Sequence, residues 1–255
     1  MSAAAPSGQS RAGRFMDSLL LIAVILAAWQ ALYMAVGDVA IAGPWGTLRH
    51  AVELLPSRDL RPHLDASLTA FAYALLISYA IGLAMGLTLG FHRFSGEVVE
   101  PMLGAVYSLP KITLYPIVLL IFGLGISAKV AFGAIHGIIP VALFAMNAVR
   151  GISPTHLRTA RVMRLSALTT VRTIVAPAII PEIVTGLRVG FSLTLLGVLT
   201  GEMFASQHGL GFLLINAINL HDVRTITTLI FVLFTFATAT NSILLAIDRR
   251  LHFRT

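Results

Sequence analysis

Residues Pro154 to Phe204 read PTHLRTARVMRLSALTTVRTIVAPAIIPEIVTGLRVGFSLTLLGVLTGEMF, and the fold class follows from how this stretch changes along its length. Its first part is basic: Arg158, Arg161, Leu165 and Leu168 recur at three- and four-residue spacing, as do Val162, Leu165 and Thr169. A helix there presents a charged face beside an apolar one, the pattern of a docking or interfacial element. Ala176-Pro177 and Pro181 predict a turn. Beyond it, Val189 to Leu199 is an apolar run. The reading is of a water-exposed helix that feeds a membrane helix.

Composition places the whole chain in a bilayer. Of 255 residues, 57% are hydrophobic and only 11% charged, with mean hydropathy +0.87, against about a quarter charged in an ordinary soluble domain. A spanning helix needs about 20 mostly apolar residues. The predicted spans are Phe15 to Val36, Ala66 to Phe91, Met102 to Leu124, Val130 to Val149, Ile183 to Phe204 and Thr225 to Ile247. The expected architecture is therefore an all-α membrane protein with a six-span domain over residues 15–250, flanked by tails at 1–14 and 251–255. A cleaved signal peptide also starts basic and turns apolar, but the first apolar run here is longer than a signal core, which reads as a retained helix.

Charge orients the spans. With a cytoplasmic start, the inner segments hold Arg11, Arg14, Arg93, Arg150, Arg158, Arg161, Arg164, Arg172, Arg249, Arg250 and Arg254, and the outer ones Arg49, Arg58, Arg61, Lys129 and Arg224. Eleven against five follows the positive-inside rule and puts both termini in the cytoplasm. It also accounts for most of the net charge of +7 without nucleic acid, whose binding needs a water-facing basic domain. The chain has no cysteine, which removes disulfides, thiol catalysis and Cys-based metal sites.

The second span carries a small residue at every fourth position: Ala66, Ala70, Ala74, Ser78, Gly82, Gly86 and Gly90. Gly186 with Gly190 and Gly197 with Gly201 repeat that spacing in the fifth. Small side chains let backbones approach closely where lipid supplies no hydrophobic drive, and because four residues overshoot a turn by roughly 40° the stripe is expected to meet more than one neighbour. Pro110 and Pro116 are expected to kink the third span, making it a candidate wall of a solute path or a packed kink. Lys111, between them, snorkels, pairs locally or meets solute. The outer loop before the second span predicts a short surface helix around Thr47 to Leu55, Gly123-Leu-Gly125 a tight turn, and Ser206 to His221 an outer hairpin that dips back along the membrane. His136 reads as a packing residue more readily than a proton relay, because no acidic residue lies between Glu100 and Glu182.

These features, in order, resemble the binding-protein-dependent ABC transporter permeases of the nitrate, sulfonate and taurine branch. The resemblance rests on Ser108-Leu-Pro-Lys111, Pro116, Phe122-Gly-Leu-Gly125, Ala178 to Arg188, Gly201-Glu-Met203 and Gly209-Leu-Gly211, together covering roughly residues 40–250. It implies a type I importer permease, MetI-like fold in a bacterial inner membrane, with a cytoplasmic coupling loop at 150–177. The family's loop pattern is Glu-Ala-Ala, three residues, Gly, nine residues, Ile-x-Leu-Pro. Anchored on Ile174-Val-Ala-Pro177, it puts Glu-Ala-Ala at Arg158-Thr159-Ala160 and the Gly at Arg164, so two signature positions are arginine. Arg158 repels the cation that the family's glutamate would meet, and Arg164 removes a flexible or close-approach position. Three readings stay open: a divergent competent loop, the weaker-coupling partner of a heterodimer, or a chain that no longer couples.

The resemblance implies as partners two ABC ATPase subunits, a second permease chain, a solute-binding protein outside and the bilayer. The coupling residues it points to are Arg158, Thr159, Ala160, Arg161, Arg164, Leu165 and Pro177. The path candidates are Pro110, Lys111, Pro116 and Glu202, the last near the outer mouth as a gate, a contact or the cap of a packing network. No cofactor or metal is expected on the chain itself: a phosphate-cradling loop needs glycines before Lys and Ser or Thr, and neither Lys111, after proline, nor Lys129, after alanine, has that setting. ATP and Mg belong to the partner. An intramembrane hydrolase needs a nucleophile and base on facing helices, for which no Gly-x-Ser-x-Gly string occurs. A stand-alone secondary transporter is disfavoured by few buried ionisable groups and no inverted repeat.

Overall fold

A computed structural model describes residues 11–204 and 206–252. The tail residues 1–10 and 253–255, and the side chains of Asp248-Arg-Arg250, lie outside the described residues. Regular structure among the described residues is helical throughout: α1 (Arg11–Val36), α2 (Pro44–Leu54), α3 (Leu60–Phe91), α4 (Arg93–Ser108), α5 (Tyr115–Phe122), α6 (Ile126–Arg150), α7 (Pro154–Val162), α8 (Ala167–Thr170), α9 (Ala176–Phe204), α10 (Leu210–Asn219) and α11 (Val223–His252). Five helical stretches are long and apolar enough to cross a bilayer. Arg93–Ser108 and Lys111–Phe122, bent by 90° at the break between them, count as a sixth when the pair is taken as one span.

The core is α6 between α3 and α9, which share the most extensive packing. More than half of the apolar stretch of α6 is buried (56%), against none of α1 (0%). Close approach explains why: Gly82, Gly86 and Gly90 of α3 lie on Val141, Ala142, Ala145 and Val149 of α6, while Gly186, Gly190 and Gly197 of α9 lie on Phe144, Val141 and His136. A Cβ at any of these glycines would meet atoms of the neighbouring helix inside van der Waals distance. Gly201 is looser, with Tyr115 and Phe132 about its open side at 3.5 and 3.6 Å. The stripe on α3 keeps to α6 from Gly82 to Gly90 and meets α9 as a second neighbour at Ser78 and further along at Ala74 and Ala70, which cluster with Phe191 and Val198.

That point is a polar junction of three helices. Ser78 and Thr194 share a hydrogen bond (Oγ to Oγ1, 3.1 Å), and Ser78 Oγ donates to the Ala134 carbonyl at 3.4 Å. Gly137 of α6 fits over both hydroxyls, with no room for a side chain. Ser78 and Thr194 are fully buried, so the hydroxyls satisfy one another where water does not reach. His136 faces the Phe132 carbonyl at 2.9 Å, a local bond within α6.

Two differences from the sequence-based expectation have a physical cause. The third span is no kinked helix: Leu109, ahead of Pro110, is extended (φ −66°, ψ 138°), the conformation proline imposes on the residue before it, so α4 stops at Ser108 and the chain turns a right angle. Pro116 starts α5, where its missing N–H leaves no broken bond. Nor does the chain turn at Ala176-Pro177. A π segment, Val171–Val175, joins α8 to α9 into one span, Ala167–Phe204. The Ala176 N–H reaches back five residues to the Val171 carbonyl, and the wider turn takes up the disruption that Pro177 brings to a regular ladder. The surface helix expected at Thr47 to Leu55 is α2, entered through Pro44 at its first turn.

Candidate functional site

At one end of the bundle α7 projects between α6 and α8. Its entry is fixed by Pro154 at the first turn, and its exit by hydrogen bonds from Arg164 N to Arg161 O and from Leu165 N to Ala160 O, both 3.0 Å. Those are the two bonds of a Schellman stop, which places the residue after the cap in the left-handed region. That residue is Arg164, at φ 51°. The family pattern has glycine here, and the geometry gives the reason: the position needs positive φ, which glycine adopts freely and arginine does not. Arg164→Gly is therefore expected to raise stability by about 1 kcal/mol, measured as an upward shift in the thermal midpoint of the detergent-purified chain.

The helix expected to run on through Leu165 and Leu168 thus ends at Val162 and restarts at Ala167, where Ser166 Oγ accepts from the Thr169 N–H at 3.2 Å. Of the coupling candidates, Ala160 is buried (3% exposed) and Leu165 half-buried. Arg158, Thr159, Arg161 and Arg164 are all exposed. A groove of about 260 Å³ runs between Leu157, Ala160, Arg161, Leu165 and Thr170. Pro177 stands apart, in the first turn of α9. Behind α7, the Arg150 guanidinium donates to the Glu100 carboxylate, tying α6 to α4.

At the opposite end the structure departs most from the sequence reading. Glu202, expected at a membrane interface on a solute path, is fully buried (0% exposed) because α10 folds back over the end of α9. Its carboxylate accepts from Ser67 Oγ at 2.7 and 2.8 Å and from Gly211 N at 3.0 Å. Lys129, expected in an outer loop, lies in the first turn of α6, buried, with its ammonium 3.7 Å from Glu202 Oε1 and donating to the His208 carbonyl. The Leu210 N–H donates to Ser67 Oγ at 2.7 Å and the Gly209 N–H to His63 Nδ1 at 3.1 Å.

Three amides at the start of α10, which no helical carbonyl can accept, thus end on side chains of α3 and α9, with an anion at the positive end of the short helix. Gly209-Leu-Gly211 is the close-approach surface for that anion. A Cβ on Gly209 (φ 131°) would strike the Glu202 carboxylate, and one on Gly211 the Leu199 carbonyl. A cavity of about 530 Å³ opens beside this network, lined by Lys129, Ser206, Gln207 and His208 on its polar side.

Lys111 and Pro110 stay out of the network. The Lys111 ammonium donates to the Tyr107 carbonyl at 3.0 Å and sits 5.2 Å from that ring's centre. Next to Pro116, Tyr115 donates its hydroxyl to the Gly201 carbonyl at 2.6 Å, drawing α5 onto α9. Sequence alone does not mark Ser67, His63 or Lys129 as site residues. The one signal is Lys129 itself, a lone cation between Lys111 and Arg150. After α10, a second Schellman stop puts His221 at φ 56°, and Asp222 caps α11 by accepting from Thr225 N at 3.1 Å. Hydrogen bonds from Thr225 hold the Asp222 carboxyl below its ordinary range, so its stabilisation is present above that range and is lost as pH falls through the lowered value.

The chain can now be set beside known proteins. The family described as "Binding-protein-dependent transport system inner membrane component" matches residues 78–253. A putative aliphatic sulfonates transport permease protein, SsuC, of Bacillus subtilis (strain 168) is 26% identical over 96% of this chain and 89% of its own. The nitrate import permease protein NrtB of Synechococcus elongatus is 24% identical, covering 80% of this chain and 77% of its own. The taurine transport system permease protein TauC of Escherichia coli (strain K12) is 27% identical over 70% of this chain and 62% of its own. In fold, a chain of the inward-facing MetNI methionine ABC transporter superposes with a TM-score of 0.65 at 17% identity, covering 75% of this chain and 95% of that one. The multi-span bundle, its projecting α7 and the match over residues 78–253 lead to one assignment: this chain belongs to the binding-protein-dependent transport system inner membrane components.

Proposed function

We propose that the chain is the permease subunit of an ATP-driven importer, taking a small anionic or polar solute of the sulfonate, taurine or nitrate kind. Two permease chains line one path, two ATPase subunits dock at the α7 end, and a soluble binding protein delivers solute at the α10 end. The α7 end faces the cytoplasm. Charge supports this orientation, because it gathers Arg93, Arg150, Arg158, Arg161, Arg164 and Arg172 on one side. The relatives' printed functions support the solute class, and the cavity beside Lys129 offers space for such a solute at the outer end.

The observation that carries the reading is α7: a short projecting helix between two spans, in a family member without a phosphate-cradling loop of its own. Force produced by a separate ATPase enters through such an element and shifts the bundle between two arrangements. The test is reconstitution in vesicles with the ATPase and binding protein encoded alongside. Uptake of radiolabelled taurine, an alkanesulfonate or nitrate that requires ATP and both partners is expected. Uptake of equal rate by the chain alone would overturn the proposal.

A further inference from the structure

We infer that α7 is received by a cleft whose rim is acidic, so that the ATPase partnering this chain carries Asp or Glu side chains opposite Arg158 and Arg161. This rests on the importer reading above and adds the chemistry of the contact.

The first observation is an uncompensated charge cluster. Arg158, Arg161, Arg164 and Arg172 all reach the surface, and none makes an ion pair among the described residues; Arg161 Nε reaches only the Leu157 carbonyl, at 3.5 Å. No acidic residue stands between Glu100 and Glu182, so the loop carries no local counter-charge. The second is how charge is distributed over the helix. One side of α7 carries buried Ala160, with half-buried Leu157 and Leu165 lining the groove beside it. Exposed along α7 and its exit are Arg158, Arg161, Val162 (83% exposed), Met163 (64% exposed) and Arg164, beside the uncharged Thr155, His156 and Thr159.

Cations and apolar side chains therefore alternate on the outward face. A helix lying in a lipid headgroup layer separates them into two faces, whereas here exposed Val162 and Met163 stand between Arg161 and Arg164. Arginine and methionine interleaved on one exposed surface are instead the composition of the buried centre of a protein interface. Four like charges within one loop are opposed by an acidic partner and repelled by a basic one.

The sequence supplies a clean test. Its only lysines are Lys111 and Lys129, so Arg158→Lys places a single amine in the loop. In the complex of that variant with the ATPase encoded alongside this chain, a zero-length carbodiimide, which joins amines to carboxylates, is expected to link position 158 to an Asp or Glu of the ATPase, identified by peptide mass spectrometry. Arg158→Glu with Arg161→Glu is expected to lower ATPase co-purification at least tenfold, while monodispersity in detergent stays as in the parent. Wild-type complex retention is also expected to fall as NaCl is raised.

An ATPase retained equally by parent and double-Glu variant overturns the inference. So does an Arg158→Lys complex that assembles without a carboxylate link. So does retention that is indifferent to both variants while ATPase turnover drops when anionic lipid is left out of the nanodisc; that result assigns the arginines to lipid phosphates. A parent chain that retains no ATPase at all fails earlier, at the importer reading, and is told apart by that.

Discussion

Lys129→Met is expected to destabilise the protein by about 3–5 kcal/mol, because it leaves the Glu202 carboxyl buried with no cation beside it. The same variant removes the donor that holds the His208 carbonyl, so the segment leading into α10 loses its anchor to α6. Glu202→Gln leaves Lys129 unpaired in turn, yet its amide oxygen still accepts from Ser67 and Gly211. The informative protein is the double variant. With Lys129→Met and Glu202→Gln together no buried charge is stranded, and most of the loss is expected to be regained. Thermal unfolding of the four proteins in one detergent measures the coupling directly. Two single losses that simply add would show that the two groups do not act on one another.

The second large effect is expected from Gly86→Val. The Cβ of any side chain there would lie against the Ala142 carbonyl oxygen, 2.7 Å from Ala145 Cβ and 2.9 Å from Ala142 Cα. Backbone atoms cannot rotate aside, so α3 and α6 must separate along their longest contact. Overpacking of this kind costs about 1–3 kcal/mol, occasionally more, and a β-branched side chain at a backbone contact belongs at the upper end. Gly104→Ala is the matched control. It also sits in a helix, but nothing lies within 4 Å of the added carbon, so about 1 kcal/mol of helix propensity is expected as a gain. Opposite shifts in thermal midpoint separate packing from propensity; equal shifts would refute the close-packing account of α3.

Much of this architecture was legible along the chain because membrane helices announce themselves locally. Apolar length located the spans, although the fifth begins at Ala167, well ahead of Ile183, and the small-residue stripe on α3 marked the face that meets α6 and α9. The segment of α7 and α8 was visible as an amphipathic basic patch. What remained hidden depends on partners far apart in sequence. Ser67 and Glu202 are 135 residues apart, and nothing in the neighbourhood of either announces the other. Lys129 looked like a loop cation because a charge near a helix start is ordinarily solvated; only α10 lying over it makes it internal. The resemblance located Arg164, but that its position is left-handed emerges from the two backbone bonds closing α7. Pro177 misled for the opposite reason: proline is a strong local breaker, and the π segment before it repairs the break.

The junction where Ser78 and Thr194 meet beneath Gly137 divides α9 unequally. At 1.5 Å of rise per residue, Thr194 stands about 12 Å from Glu202 and about 27 Å from Ala176. Were α9 to tilt as a stiff rod about that point, its end beside the π segment would sweep roughly twice the arc of its end at Glu202. The helix is then a lever with its long arm on the side of α7, trading travel for mechanical advantage where it acts on α10.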